Sequence, residues 1–348
     1  VTDTARGEVI SANEMARRMA DVRVLFIGEE HTNGEFHRAQ LRVIEALTAA
    51  GRKVIVGLEM FPWTLTTPLE RWSRGELTEA QFLDEAKWYE YWSHHWNGYR
   101  DIFFFARDHH LKMVGINAPR DVVRSVRAKG LDSLDAETRK RMPPTIDISS
   151  AEHRQLVQSY FDADDPLQSK MSPEQAEGLY QAQVTWDSAM GWNAGQALST
   201  PADPQEIVVV LIGGGHAAYG LGAQRQLTPH FKGRIASLIP VTVRDDEGKA
   251  VPTVSAAYAD FIWGVPWTAQ PTDPVLGVSL MGKLGAEPAK IIQIDKGSTA
   301  DQSGLKVGDI LRELDGVKID SSTTLQRKTN DYRWGDSAKL VYERDGKP

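Results

Sequence analysis

The stretch VRVLFIGEEHTNGEFH, residues 22–37, decides the fold because an apolar run gives way abruptly to charged residues. Residues 22–27 have the composition of a strand that is buried on both faces, as in a parallel sheet. A glycine, two glutamates and a histidine follow at positions 28–31. Because open parallel sheets bind ligands beyond the carboxyl ends of their strands, this order predicts a strand that ends at a cleft.

Four more apolar runs have the same character, at residues 54–58, 113–116, 207–212 and 235–239. Helical patterns lie between them, such as 36–50, where apolar residues repeat at helical spacing before Gly51. This alternation predicts an α/β fold with a mostly parallel sheet and helices on both faces. We expect residues 118–204 to form a helical insertion, in which Ser172 and Pro173 have the pattern of an N-cap and a first helical residue.

The character of the chain changes near residue 270. The sequence QPTDP at 270–274 carries two prolines among polar residues, and short strands with Gly-rich turns follow it. Proline and polar residues in such a run are typical of a linker. We therefore predict an α/β domain over residues 1–268 and a small, mainly-β domain over residues 272–348.

Composition limits the function. The 348 residues carry a formal net charge of −7 without a dense basic run, so nucleic acid is not an expected partner. The absence of cysteine removes disulfides, thiolate metal sites and cysteine nucleophiles. The first residues lack the basic and apolar regions of a signal peptide, which is therefore expected to be absent or already removed.

Polar residues follow four of the predicted strands, where a shared cleft would lie. Glu29, Glu30 and His31 follow the first strand, Glu59 the second, Asn117 the third, and the sequence GGGH, ending at His216, the fourth. A single polar residue after a strand usually has no functional role, since loops are exposed to solvent. Together, the histidines and glutamates can bind a divalent metal or perform general acid–base chemistry without one. The candidate metal ligands are Glu29, Glu30, His31, Glu59 and His216.

A second unusual stretch, WYEYWSHHWNGY, occupies residues 88–99. In one helix, its three Trp residues and Tyr99 would share a face. Such a stripe is typical of an apolar core, but a dense Trp and Tyr surface with two histidines would also suit a flat macrocycle with an axial Tyr or His ligand. The candidate haem ligands are Tyr89, Tyr91, His94, His95 and Tyr99.

Several motifs in order resemble the ChaN family of bacterial haem-binding, iron-regulated proteins. They are GEEH at 28–31, GLEMF at 57–61, WNGY at 96–99, NAPR at 117–120 and GGH at 214–216, and the resemblance spans roughly residues 8–265. It implies a parallel α/β domain that takes up haem in a cleft or at the surface of a homodimer. It further implies a role in iron uptake and a periplasmic or outer-membrane-associated location, in some relatives as a lipoprotein.

The wider superfamily includes Tiki, TraB and erythromycin-esterase-like proteins, and its resemblance implies a different activity. Some of these relatives use a histidine after the first strand, a glutamate after the second and a late histidine for hydrolysis. The matching positions are His31, Glu59 and His216. The alternative function is therefore a metal-dependent hydrolase of esterase or peptidase type, without the G-x-S-x-G motif of serine hydrolases. Haem binding and hydrolysis would use the same cleft, and the residues leave open whether the protein is an enzyme.

The C-terminal part resembles a PDZ domain of the kind found in HtrA proteases. The sequence LGVS at 276–279 stands where the carboxylate-binding loop should be, followed by VGDIL at 307–311. The resemblance implies that Leu276, Gly277, Val278 and Ser279 bind the C-terminal peptide of a partner protein by strand addition. A third reading follows, in which the protein is a scaffold with a vestigial cleft.

Overall fold

The structure is a computed structural model that describes residues 1–92, 94–160, 171–244, 248–251, 253–267, 273–281 and 289–347. The chain divides into two compact units. The α/β unit comprises Val1–His31, Glu35–Ala86 and Ile102–Trp267, and the C-terminal unit comprises Thr32–Gly34, Lys87–Asp101 and the chain from Thr268 onward. The predicted domain boundary between 268 and 272 lies outside the described residues. The grouping of residues 87–101 with the C-terminal unit was not predicted.

The α/β unit is built on an eight-stranded sheet with the strand order β2-β1-β8-β7-β3-β6-β4-β5. The six strands from β8 to β5 are parallel, and β1 and β2 add an antiparallel edge. The mostly parallel α/β fold predicted from the apolar runs is therefore confirmed. The strands are β1 Thr2–Asp3, β2 Glu8–Val9, β3 Val22–Glu29, β4 Lys53–Pro62, β5 Lys112–Asn117, β6 Glu206–Gly213, β7 Arg234–Thr242 and β8 Phe261–Val265.

The central strands β3, β4 and β6 are apolar along almost their whole length because neighbouring elements cover both faces. Phe26, Leu58 and Val210 are fully buried. β3 and β6 extend beyond their apolar runs, since the ladder continues until Glu29 pairs with Gly213. This extension brings Glu29 and Gly213 side by side at the carboxyl ends of the strands.

The helices of the α/β unit include the predicted insertion after β5. The longest, α10, begins with a capping box in which Ser172 and Gln175 bond reciprocally and Pro173 is the first helical residue. Within the described ranges, no helix combines the length and apolar character needed to cross a lipid bilayer. The helices before β6 are α1 Ala12–Arg18, α2 Gly34–Ala49, α3 Thr66–Ser73, α4 Glu79–Glu85, α5 Trp88–Tyr91, α6 Trp96–Asp108, α7 Arg120–Lys129, α8 Ala136–Arg139, α9 Ala151–Ser159 and α10 Pro173–Gln196; after β6 come α11 Gly214–Ala217 and α12 Ala223–Leu227. Of these, α5 and the part of α6 up to Asp101 belong to the C-terminal unit.

The C-terminal unit contains a small antiparallel sheet with the order β12-β11-β10-β9, and β13 pairs with β11. Its core includes Ile291, Leu311 and Leu325. The mainly-β character predicted for this part is confirmed. Its elements are β9 Val278–Met281, β10 Lys290–Ile294, α13 Thr299–Gln302, β11 Ile310–Leu314, β12 Val317–Lys318, α14 Ser322–Thr329 and β13 Leu340–Glu343.

Candidate functional site

The carboxyl ends of β3, β4 and β6 bring three predicted site residues together. The Nε2 atom of His216 lies 3.5 Å from Oε1 of Glu59. A Cβ atom at Gly213 would lie 3.3 Å from His31 Nε2 and 3.6 Å from Glu59 Oε2, so the glycine leaves the space in which these groups meet. The backbone N–H of Gly213 donates to Glu59 at 2.5 Å. The cleft therefore has a buried carboxylate between two imidazoles.

The Glu29 carboxylate holds the ring of His31. Its Oε1 lies 2.7 Å from His31 Nδ1, and its Oε2 accepts a 2.7 Å hydrogen bond from the amide of Gln40. Burial opposes the charged imidazole, but the hydrogen bond to Glu29 and the charge of Glu59 outweigh burial and raise the pKa of His31. His31 therefore favours the protonated form more than an ordinary histidine does.

His216 has an equivalent partner that the sequence did not predict. Asp187 in α10 lies 2.6 Å from His216 Nδ1. Burial again opposes the charged ring, but Asp187 and Glu59 outweigh it and raise the pKa of His216 to about 9. Burial of Asp187 raises its pKa, but the charges and hydrogen bonds of His216 and His153 together outweigh burial and hold the pKa below its ordinary value. His216 and Asp187 therefore form an ion pair in the cleft at neutral pH.

The structure gives no support for the predicted metal site. Among the residues it describes, no group of three or more His, Asp or Glu side chains is arranged to hold a metal ion. Glu29 and Asp187 already engage the Nδ1 atoms of the two histidines. The remaining predicted ligand, Glu30, is exposed and lines the neighbouring pocket.

This pocket has a volume of about 260 Å³ and adjoins the cleft at Glu29 and Gly214. Aliphatic and aromatic side chains form most of its wall. Tyr219 is 45% exposed and has a positive φ of 58°, a conformation that bulky residues rarely adopt, and its ring meets that of Tyr258 edge-on. The pocket is lined by Glu29, Glu30, Phe36, Gly214, Tyr219, Ile239, Pro240, Val241, Thr242, Val254 and Tyr258.

The aromatic segment at 88–99 belongs to the C-terminal unit, whereas the cleft residues lie in the α/β unit. It is not one helix, because α5 ends at Tyr91 and Trp92 has an extended conformation. The rings of Trp88 and Trp96 are fully buried and meet edge-on with centroids 4.9 Å apart. Their packing is that of a core, which is one of the two roles expected from the sequence.

The five candidate haem ligands are all assigned to the C-terminal unit. Tyr99 is fully buried and Tyr89 is 6% exposed, so neither ring offers an open face for a macrocycle. His95 places Nε2 3.3 Å from the Thr329 carbonyl at the end of α14. Tyr91 and His94 are half-buried. Axial ligation by these residues stays a prediction, and ligation by Tyr89 or Tyr99 would require the ring to become exposed.

The predicted peptide site lies at the start of β9. In the described sheet, β9 is the last strand of the order, so only β10 pairs with it. Gly277 has a φ of +74°, and a Cβ atom there would lie 2.2 Å from Cβ of Ser298, so the loop requires glycine. A pocket of about 450 Å³ adjoins the loop and is lined by apolar residues that include Leu276, Leu305, Tyr332, Trp334 and Leu340.

The sheet and its cleft define a parallel α/β protein with an imidazole and carboxylate site at the strand ends, followed by an antiparallel β unit. Residues 15–227 match the family described as haem-binding uptake, Tiki superfamily, ChaN, and residues 274–348 match the PDZ domain. Because the first match covers more than half of the sequence, the chain belongs to this ChaN family.

One solved structure of low identity shares the fold, and two others are similar at a lower level. A structure described as cofacial haem binding to ChaN of Campylobacter jejuni is 17% identical, with a TM-score of 0.57, over 75% of this chain and 94% of that one. A Bacillus cereus protein is 14% identical, with a TM-score of 0.36, over 76% of each chain. The RRSP effector domain of a Vibrio vulnificus MARTX toxin is 16% identical, with a TM-score of 0.37, over 72% of this chain and 38% of that one. No curated protein matches the chain.

Proposed function

We propose that this protein binds haem in bacterial haem or iron acquisition and that its PDZ unit binds the C-terminus of a partner protein. The observation that carries the proposal is the ChaN family match over residues 15–227. The Campylobacter jejuni relative, by its description, binds haem cofacially. A homodimer and a periplasmic or outer-membrane-associated location, with or without a lipid anchor, belong to the same proposal.

The pocket beside the cleft suits one edge of a macrocycle. Its aliphatic wall would cover apolar ring surface, and the exposed phenol of Tyr219 is of a type that ligates haem iron. When bound, haem would supply a coordinating iron and a flat apolar surface. Among the described residues, the wall carries Glu29 and Glu30 but neither Lys nor Arg. We therefore expect the anionic propionates to face solvent.

Hemin titration of the purified protein tests this proposal. We expect a shifted Soret band that saturates, with weaker binding in Tyr219→Phe. Tyr99→Phe is a matched variant that removes one phenol from the buried aromatic segment, and it should bind like the wild type. The absence of a Soret change at stoichiometric hemin would overturn haem binding. A loss confined to Tyr99→Phe would move the site to the aromatic segment.

A second candidate function, acid–base hydrolysis, is favoured by the convergence of His31, Glu59 and His216. With its pKa raised to about 9, His216 is protonated at neutral pH and can donate a proton to a leaving group. His31 can accept a proton only above its own raised pKa, so hydrolysis should increase as the pH passes that pKa and decrease again above about pH 9, where His216 loses its proton. A screen of ester and peptide substrates with Glu59→Gln as comparison tests this candidate. Turnover that Glu59→Gln leaves unchanged would exclude the cleft as its source.

Peptide binding by the PDZ unit can be tested separately. An added strand would pair with β9, and loop N–H groups near Gly277 would bind the terminal carboxylate. Fluorescence polarisation with a library of C-terminal peptides should identify a binder whose amidated form binds much more weakly. Equal affinity of the free and amidated forms would contradict carboxylate recognition.

A further inference from the structure

A fully buried carboxylate lies behind the cleft. Asp187, in the middle of α10, has no exposed surface, and both of its oxygens face imidazoles. Oδ1 lies 2.6 Å from Nδ1 of His216, and Oδ2 lies 3.2 Å from Nε2 of His153. A buried carboxylate is costly unless it is paired, so this position is unfavourable without the two histidines.

We propose that Asp187, steadied by His153, is a positioning residue that fixes the His216 ring with Nε2 directed at Glu59. The role of this arrangement rests on the acid–base function proposed above. An imidazole can present either nitrogen to a reacting group, and a carboxylate on one nitrogen decides which nitrogen is left. Because Asp187 occupies Nδ1, only Nε2 remains for the cleft.

The surroundings of Asp187 leave the His216 ring little freedom. A Cβ atom at Gly222 would lie 2.9 Å from Asp187 Oδ1 and 2.3 Å from the carbonyl oxygen of His216. The backbone after His216 therefore passes directly over the ion pair. The amide nitrogen of Gln183 lies 2.9 Å from His216 Nδ1 but cannot donate to it, because Nδ1 carries its hydrogen toward Asp187. A ring held by a carboxylate and enclosed by backbone has one favourable orientation.

His153 extends the same set of contacts away from the cleft. It lies in α9, is fully buried, and places Nδ1 3.3 Å from the hydroxyl of Tyr180. The groups Tyr180, His153, Asp187, His216 and Glu59 thus follow one another from α9 and α10 to the strand ends. A neutral tautomer of His153 with hydrogen on Nε2 would accept from Tyr180 and present its polar N–H side to Asp187.

Within the described residues, the titratable groups near His216 include two carboxylates, two imidazoles and the phenol of Tyr160, which donates to the carbonyl of Gly215. Asp187 and Glu59 contact it directly, His31 faces it across the cleft, and His153 lies beyond Asp187. Glu59 and Asp187 are on opposite ring nitrogens. Removing the charge of Asp187 alone should therefore leave an imidazole that is still buried and has one carboxylate neighbour instead of two.

The test is a comparison of imidazole signals in the full-length protein labelled with ¹⁵N-histidine. In the wild type, we expect His216 to carry hydrogen on both nitrogens at pH 7.5. Asp187→Asn keeps the side-chain shape but removes the charge, so His216 should become neutral at this pH. His153→Gln should give a smaller change in the same direction, and Asp187→Glu should restore part of the protonated form.

A matched control is Asp260→Asn, which removes one carboxylate that bonds to Ser237 and should not alter the His216 signals. Folded Asp187→Asn with an unchanged doubly protonated His216 would overturn the proposal. If Asp187→Asn does not fold, an unchanged His216 signal in folded His153→Gln would overturn the role proposed for this pair.

The hydrolytic function is tested by a different readout. If the wild type turns over an ester or peptide, Asp187→Asn should reduce kcat roughly 10²- to 10⁴-fold, by analogy with the loss of the orienting carboxylate in a catalytic triad. A changed His216 signal in a protein without turnover would support the positioning role and reject the hydrolytic function.

Discussion

Replacement of His216 by glutamine should change how the stability of the protein depends on pH. The folded structure raises the pKa of His216 from its ordinary value near 6.5 to about 9, because Asp187 and Glu59 outweigh burial. A group whose pKa is raised on folding stabilises the folded state fully below the unfolded pKa. That contribution is lost as the pH rises through the folded pKa. We therefore expect the contribution of His216 to decrease between about pH 6.5 and pH 9.

The size of the effect follows from the pKa difference. The difference between 9 and 6.5 corresponds to about 3.4 kcal/mol, and the side chain is only 14% exposed, so solvent screens it little. Loss of the His216 charge also raises the pKa of His31 further, since the two imidazoles repel each other. The higher pKa of His31 offsets part of the stability that the substitution removes. The net change in the free energy of unfolding should therefore be about 2–3 kcal/mol.

Urea unfolding followed by circular dichroism between pH 6 and pH 9.5 measures this effect. The free energy of unfolding of the wild type minus that of His216→Gln should decrease by the predicted amount across the interval. His109→Gln, which removes an exposed imidazole outside the cleft, is the matched control variant. A constant difference for His216→Gln would refute the buried ion pair.

Three further predictions concern stability elsewhere. Gly178→Ala should destabilise the α/β unit by about 1–3 kcal/mol in urea unfolding, because its Cβ would lie 2.2 Å from the Arg127 carbonyl oxygen. An unchanged midpoint would show that α7 and α10 separate easily. Arg344→Ala should lower the free energy of unfolding of the C-terminal unit by about 2–3 kcal/mol in thermal unfolding, since it removes two of the three 2.8 Å hydrogen bonds to the buried Asp309 carboxylate. An effect below about 0.5 kcal/mol would show that the ion pair of Arg344 and Asp309 contributes no more than an ordinary surface salt bridge. Ser172→Ala should cost about 1 kcal/mol by removing the N-cap of α10, and Ser172→Asp should recover most of this loss. Equal stability of the two variants would argue against capping.

The sheet could be predicted because each of its central strands is buried on both faces. Such strands need continuous apolar residues, and the runs at 22–27, 54–58 and 207–212 correspond to β3, β4 and β6. Their exact ends could not be predicted, since Glu29 and Gly213 have poor strand character and are included only through their mutual pairing.

The cleft was partly predictable for a similar reason. His31, Glu59 and His216 directly follow strands, and the carboxyl ends of parallel strands meet at one edge. Asp187 and His153 come from helices of the insertion, where no strand position marks them. One signal was present: Asp187 lies among the small and apolar residues of α10, between Val184 and Ala189, and a charge on such a face needs a partner.

Helical spacing gave a partly incorrect prediction for the aromatic segment. Intervals of four and three residues placed Trp88, Trp92, Trp96 and Tyr99 on one helical face, but the first helix of the segment ends at Tyr91. Bulky rings can pack together equally well across a bend, so the spacing predicted burial correctly and the continuous helix incorrectly.

The contact between the aromatic segment at 88–99 and α14 has a practical consequence for the design of truncated proteins. Thr323 donates to the carbonyl of Tyr89, and Asn97 donates to the carbonyl of Asn330 at the other end of that helix. A shortened protein ending before residue 273 would retain the tryptophans but lose the helix that shields them. Poor solubility of such a fragment would then reflect exposure of the tryptophans and would not indicate that the parallel sheet is unfolded.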